Sequence, residues 1–62
     1  MEIIIKGNKT EVTQMINNIS NNAKDIKELA NTTLTIDEVL CKIDSLIVNS
    51  ITMEYCVTLK SI

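Results

Sequence analysis

The segment that most constrains the fold lies near the end of the chain and reads Ile51-Thr52-Met53-Glu54-Tyr55-Cys56-Val57-Thr58-Leu59-Lys60. Apolar and polar side chains alternate strictly along this run. Successive side chains of a β-strand point to opposite faces of the sheet, so strict alternation is typical of a strand with one buried face. The sequence therefore predicts a half-buried β-strand here.

A shorter strand is predicted at the start of the chain, over Glu2–Lys6, where three consecutive isoleucines are flanked by charged residues. Gly7 ends this strand and permits a turn with positive φ. Asn8 or Thr10 can cap a following helix, and Glu11 stands three residues after Asn8, in the position of a capping-box partner. This pattern predicts a strand, a turn and a helix start.

The next segment has apolar residues spaced three and four apart, which predicts one helix of about 22 residues with a narrow apolar stripe. Asparagines at its centre compete for backbone hydrogen bonds, so a break near Asn21 is the alternative. The stripe consists of Val12, Met15, Ile16, Ile19, Ala23, Ile26, Leu29 and Ala30.

A second helix is predicted from Ile36 to about Val48. Thr35 and Glu38 form a capping-box pattern at its start. The apolar positions that suggest its buried face are Ile36, Val39, Leu40, Ile43, Leu46 and Ile47.

These elements predict an α+β fold in the order β-α-α-β, with a helical hairpin packed on a small antiparallel sheet. We expect residues 1–62 to form a single small domain. A chain of this length buries little apolar surface, and a two-stranded sheet is marginal alone, so we expect a homodimer.

The final strand carries neither Pro nor Gly, which makes its edge the expected dimer contact and would extend the sheet across the dimer. Contact between the long helices of two copies is the alternative. The candidate interface residues are Thr52, Glu54, Cys56 and Thr58 for strand pairing, and Ile26 and Ala30 for helix contact.

Composition argues against an enzyme, because the chain has no His, Arg, Trp, Phe or Pro. Without His there is no partner to activate either of the two cysteines, so we expect no catalytic residue, no metal site and no cofactor. Six scattered lysines and a net charge of −2 do not favour direct binding to nucleic acid. No segment has the ~20 apolar residues of a membrane span, and cysteines without a signal-peptide pattern favour a cytoplasmic location.

One turn is a candidate anion site, because a helix N-terminus beside lysines can hold phosphate. The longer glycine-rich loop of a true phosphate-binding loop is absent, and an ordinary glycine turn with a helix cap explains the same pattern. The residues of this turn are Lys6, Gly7, Asn8, Lys9 and Thr10.

The opening Met1-Glu2-Ile3-Ile4-Ile5-Lys6-Gly7-Asn8, followed by Glu11 and Val12, resembles the start of small uncharacterised phage proteins of Gram-positive bacteria. Small non-catalytic phage proteins of this kind resemble the anti-defence class, which includes anti-CRISPR proteins and the Hachiman anti-defence protein. The resemblance implies an inhibitor that binds a host defence protein in the cytoplasm of an infected cell. It assigns no binding residue in this chain.

Two other functions remain open from the sequence. The first is a module that sequesters a phosphate-bearing nucleotide signal at the Lys6–Thr10 turn. The second is a structural or transcription-accessory phage protein.

Overall fold

The alternating C-terminal segment forms a strand in the computed structural model, which describes residues 1 to 62. The strand begins at Glu54, because residues 51–53 belong to the turn before it. Val57 and Leu59 are buried and Tyr55 is half-buried, which confirms the predicted inward face. The elements in chain order are β1 (Glu2–Gly7), α1 (Lys9–Ser20), α2 (Ile26–Leu29), β2 (Leu34–Ile36), β3 (Val39–Asn49) and β4 (Glu54–Ser61).

The strands form one antiparallel sheet in the order β1-β4-β3-β2, curled into a half-barrel. The curl brings both edge strands, β1 and β2, to α1, which also contacts the central strand β4. We call the face toward the helices the inner face. The core on this face consists of Ile5, Val12, Ile16, Ile26, Leu29, Leu34, Ile36, Cys41, Val57 and Leu59.

α1 begins with the expected capping box. The backbone N–H of Glu11 donates to Asn8 Oδ1 at 2.8 Å, and the N–H of Asn8 donates to Glu11 Oε1 at 3.0 Å. These bonds satisfy two backbone donors that the helix itself cannot pair.

α1 ends at Ser20, after 12 residues. Asn21 adopts a left-handed conformation with φ 55° and donates its N–H to the carbonyl of Asn17. The Asn17 side chain binds the backbone of Lys24 on both sides, donating to its carbonyl at 2.6 Å and accepting from its N–H at 3.2 Å. The single 22-residue helix is therefore wrong and the break near Asn21 is confirmed, because asparagine side chains replace helical hydrogen bonds here.

The second predicted helix is wrong, since its residues form the end of β2, the turn after it and most of β3. Asp37 and Glu38, with φ of 50° and 66°, make a two-residue turn that pairs Ile36 with Val39. Two positive φ values in such a turn match the right-handed twist of a hairpin, although Asn-Gly is the usual sequence. Pairing with the neighbouring strands β4 and β2 outweighs the helical spacing of the apolar residues.

A bulge in β3 explains why the strand is not obvious from its sequence. The register against β4 shifts between Ile43 and Ser45, which leaves Asp44 as an extra residue. Directly opposite residues share a face, so Ile43 is inward before the bulge and Leu46 and Val48 are inward after it. The resulting spacing is no longer strictly alternating and resembles a helical one.

The α+β class is confirmed, whereas the order is β-α-α-β-β-β and the helices do not form a long hairpin. The proposed dimer contacts also need correction. β4 is paired with β1 on one side and β3 on the other, so Cys56 and Thr58 offer no free edge. Ile26 is only 4% exposed within the core, so it is not available for contact between helices, while Ala30 is exposed.

Candidate protein-binding site

The β3–β4 hairpin ends in a four-residue loop, Ser50–Met53, which we call the tip. Asn49 organises it: its Oδ1 accepts hydrogen bonds from the N–H groups of Ile51 and Thr52 at 3.0 and 3.2 Å. Its carbonyl also accepts from the N–H of Met53 at 2.7 Å. A side chain that replaces the backbone partners in this way closes a tight turn without glycine or proline.

Met53 closes the turn in an unfavourable conformation. Its φ of 59° lies in the left-handed region, which costs an ordinary L-residue about 1–2 kcal/mol and which Gly or Asn adopts more readily. The tip therefore carries a long apolar side chain where stability alone favours another residue.

The tip exposes apolar surface to solvent. The exposed fraction is 92% for Ile51 and 57% for Met53. Turns usually carry Gly, Asn, Asp, Ser or Pro because those residues suit the backbone and the solvent. Positions that break local rules of this kind are expected at functional sites.

The apolar surface continues from the tip along β3. Leu46 and Val48 are about two-fifths exposed on the inner face, and Ile47 is 64% exposed on the opposite, outer face. No charged residue occurs from Ser45 to Met53. We call Leu46–Val48 the apolar arm.

The helices leave the apolar arm uncovered. α1 runs from the Gly7 end of β1 and packs mainly on β1, β2 and β4. Tyr55 of β4 packs against the core, but Leu46 and Val48 of β3 do not, and beyond the Val48–Tyr55 pair only Asn49, Glu54 and the tip project past Gly7 of β1. Exposed apolar patches of several hundred Å² on small proteins typically mark interaction sites.

The candidate anion turn is already occupied by the capping box. Asn8 directs its side chain to the Glu11 N–H, and the Glu11 carboxylate lies beside Gly7. Lys6 is opposite Cys56 and therefore lies on the outer face of the sheet, whereas Lys9 is the first residue of α1. The structure thus places a carboxylate where a bound phosphate would need positive charge.

We predict that Gly7→Ala destabilises the protein by about 1–3 kcal/mol, because φ is 153° at this position and non-glycine residues rarely adopt that conformation. An added Cβ would also lie 3.1 Å from Glu11 Oε1 and 3.2 Å from Glu11 Cβ. Urea denaturation measures the change, with Lys9→Ala as the exposed control, for which we expect no more than about 0.5 kcal/mol. An unchanged midpoint for Gly7→Ala would show that the turn tolerates a side chain.

The two cysteines occupy different environments, and both are free thiols. Cys41 is buried in the core, where it packs as a small apolar side chain. Cys56 is half-buried on the outer face between Lys6 and Ile47 on the neighbouring strands. They therefore lie on opposite faces of the sheet.

The remaining candidate interface residues lie near the tip rather than on a free edge. Thr52 belongs to the tip, and Glu54 is paired with Asn49 where the hairpin closes. Sequence reasoning missed the apolar tip because it counted Ile51 and Met53 as inward residues of the strand. The available signal was the run of nine residues without charge.

No surface pocket and no cluster of potential metal ligands is present. None of the helices combines the length and apolar character needed to cross a membrane. Comparison with protein-family models, curated proteins and solved structures found no match.

Proposed function

We propose that this protein acts without catalysis by binding another protein through the apolar tip, and that the partner belongs to a bacterial anti-phage defence system. The observation that carries the binding proposal is the placement of Ile51 and Met53 in an exposed turn. The choice of partner is supported by the resemblance of residues 1–12 to phage proteins of Gram-positive bacteria. The protein would act in the cytoplasm of the infected cell.

The tip has the composition of an interface anchor. The flexible methionine side chain fits irregular apolar pockets, isoleucine adds a large apolar surface, and the absence of nearby charge avoids the cost of desolvating ions. A few such side chains supply most of the binding free energy in typical interfaces. Glu54 lies beside the tip and supplies a polar rim residue.

The proposal is tested by expressing the protein in bacterial strains that each carry one defence system and measuring phage plating efficiency. We expect the wild-type protein to restore plating against at least one system. Burying one isoleucine contributes about 1.5–3 kcal/mol, so Ile51→Asp should weaken target binding by at least about tenfold and reduce the restored plating.

The matched control is Ile62→Asp, the same substitution at a residue that is 73% exposed and follows the end of β4 farthest from the tip. It should retain most of the activity. Failure of the wild-type protein to restore plating against any system would contradict the proposed partner class. Equal activity of Ile51→Asp and wild type would contradict the role of the tip.

A further inference from the structure

The apolar arm lies on an unpaired strand edge. β2 pairs only with residues Val39–Cys41 of β3, so from Lys42 to Asn49 one side of β3 has no neighbouring strand. A free edge presents unpaired N–H and C=O groups and is a template for another strand. We propose that a second copy of this chain occupies this edge and forms a two-fold dimer with Ile47 on the axis.

Side-chain composition distinguishes the free edge of β3 from the free edge of β1. The free edge of β1 carries Glu2 and Lys6 near its two ends, and such charges discourage pairing. The apolar arm lacks charged residues and is apolar on both faces, as in strands that lie inside a sheet. Both faces of the arm remain partly exposed, so pairing with a neighbouring strand would bury additional apolar surface.

The hydrogen-bond alternation of β3 shows which groups are available. The Asn49 carbonyl accepts from Met53 N–H within the hairpin, so it points toward β4. Alternate residues of a strand direct their backbone groups to opposite edges. Ile47 therefore bonds toward β4, whereas Val48 and Leu46 direct N–H and C=O groups to the free edge.

These groups select the register of the pair. With Ile47 opposite Ile47 of the second copy, Leu46 lies opposite Val48 of the second copy, and both residues have free backbone groups. The inner face then pairs leucine with valine and the outer face pairs isoleucine with isoleucine. Asp44 lies opposite Ser50 of the second copy, so no like charges face each other.

Other two-fold registers are poorer. An axis at Leu46 places Val48 opposite Asp44 of the second copy, and an axis at Val48 places Leu46 opposite Ser50 of the second copy. If the two-fold axis passes between two adjacent residues, the free N–H and C=O groups of one copy face backbone groups of the other copy that already bond to β4. Only the axis at Ile47 pairs apolar residues on both faces and uses both free backbone positions.

The area available fits a weak but specific dimer. Each copy contributes three partly exposed apolar side chains and a short strand edge. We expect a contact no larger than the ~1,000 Å² at which specific interfaces begin. A chain of 62 residues has a small core and gains from any additional apolar burial. The tip loop turns toward β4 of its own copy, so Ile51 and Met53 remain outside the strand pair.

Sedimentation equilibrium up to about 200 μM tests the dimer, and we expect Ile47→Lys to weaken it at least tenfold because two ammonium groups meet at the axis. The matched control is Ile4→Lys, since Ile4 is 57% exposed on the outer face of β1 and has no part in the contact. A monomeric wild type, or equal weakening by both substitutions, would overturn the proposal. Thermal melts show whether each variant is folded.

A cysteine scan in a Cys56→Ser background tests the register without depending on charge. Residues opposite each other at a non-hydrogen-bonded position have Cα atoms about 4.5 Å apart, within the range of a disulfide. Ile47→Cys should therefore cross-link to its copy with copper-phenanthroline as oxidant, faster than Leu46→Cys or Val48→Cys. Faster cross-linking at 46 or 48, or none at any position, would overturn the register.

This proposal can fail separately from the proposed function. Ile51→Asp changes the tip and should leave the dimer intact, whereas Ile47→Lys changes the arm. Loss of the dimer in Ile51→Asp would show that the tip is part of the dimer contact, and would contradict the separation of the tip from the apolar arm.

Discussion

Leu59→Ala is expected to unfold much of the protein at 37 °C. Leu59 is 1% exposed on the central strand, directly between Ile3 of β1 and Ile43 of β3. Removing a buried leucine leaves a cavity and costs about 2–5 kcal/mol. A domain of this size has a total stability of about 3–9 kcal/mol, so the substitution removes a large part of it.

Thermal and urea denaturation followed by circular dichroism measure this effect. In a domain of about 60 residues, each kcal/mol lost lowers Tm by about 4–8 °C. The control is Leu40→Ala, the same substitution at a residue that is 56% exposed, for which we expect a change within about 0.5 kcal/mol. Similar losses for the two variants would contradict the central position of β4.

Met53→Gly is expected to change stability and binding in opposite directions. Glycine relieves the left-handed strain at φ 59° and should raise the free energy of unfolding by about 0.5–1 kcal/mol, after allowing for the greater freedom of its unfolded chain. It also removes an apolar side chain that is 57% exposed at the tip, so target binding should fall about tenfold.

Met53→Leu is the matched control for this variant, because it keeps an apolar side chain and also keeps the backbone strain. We expect it to bind nearly as well as the wild type without a gain in stability. Urea denaturation and a binding assay on the same preparations provide the two measurements. A stabilised Met53→Gly protein that binds as well as the wild type would remove Met53 from the interface.

The elements that could be predicted from the sequence are those fixed by local interactions. The alternation around Val57 reports the inner face of β4 directly, and the Asn8–Glu11 capping box places the start of α1. The break at Asn21 was an alternative in the sequence because asparagine competes for backbone hydrogen bonds. These features need no information about distant parts of the chain.

The second helix was wrong because β3 is defined by its neighbours. The bulge at Asp44 disrupts the period of two that identifies a strand, and the turn at Asp37–Glu38 lacks the Asn-Gly signal of a hairpin. The apolar tip was missed for a related reason. Asn49 forms its turn through a side-chain oxygen, so no glycine or proline marks where β3 ends.

The most direct test of the central claim is the dissociation constant of the purified complex between this protein and the defence protein identified by plating. Ile51→Asp and the control Ile62→Asp are compared with the wild type in the same titration. Because Ile51 is 92% exposed, replacing it does not disturb the core. A change in the dissociation constant then measures the contact that the Ile51 side chain makes with the target. We predict that Ile51→Asp weakens the complex about 100-fold while Ile62→Asp changes it less than about threefold. Equal dissociation constants for Ile51→Asp and the wild type would contradict the account.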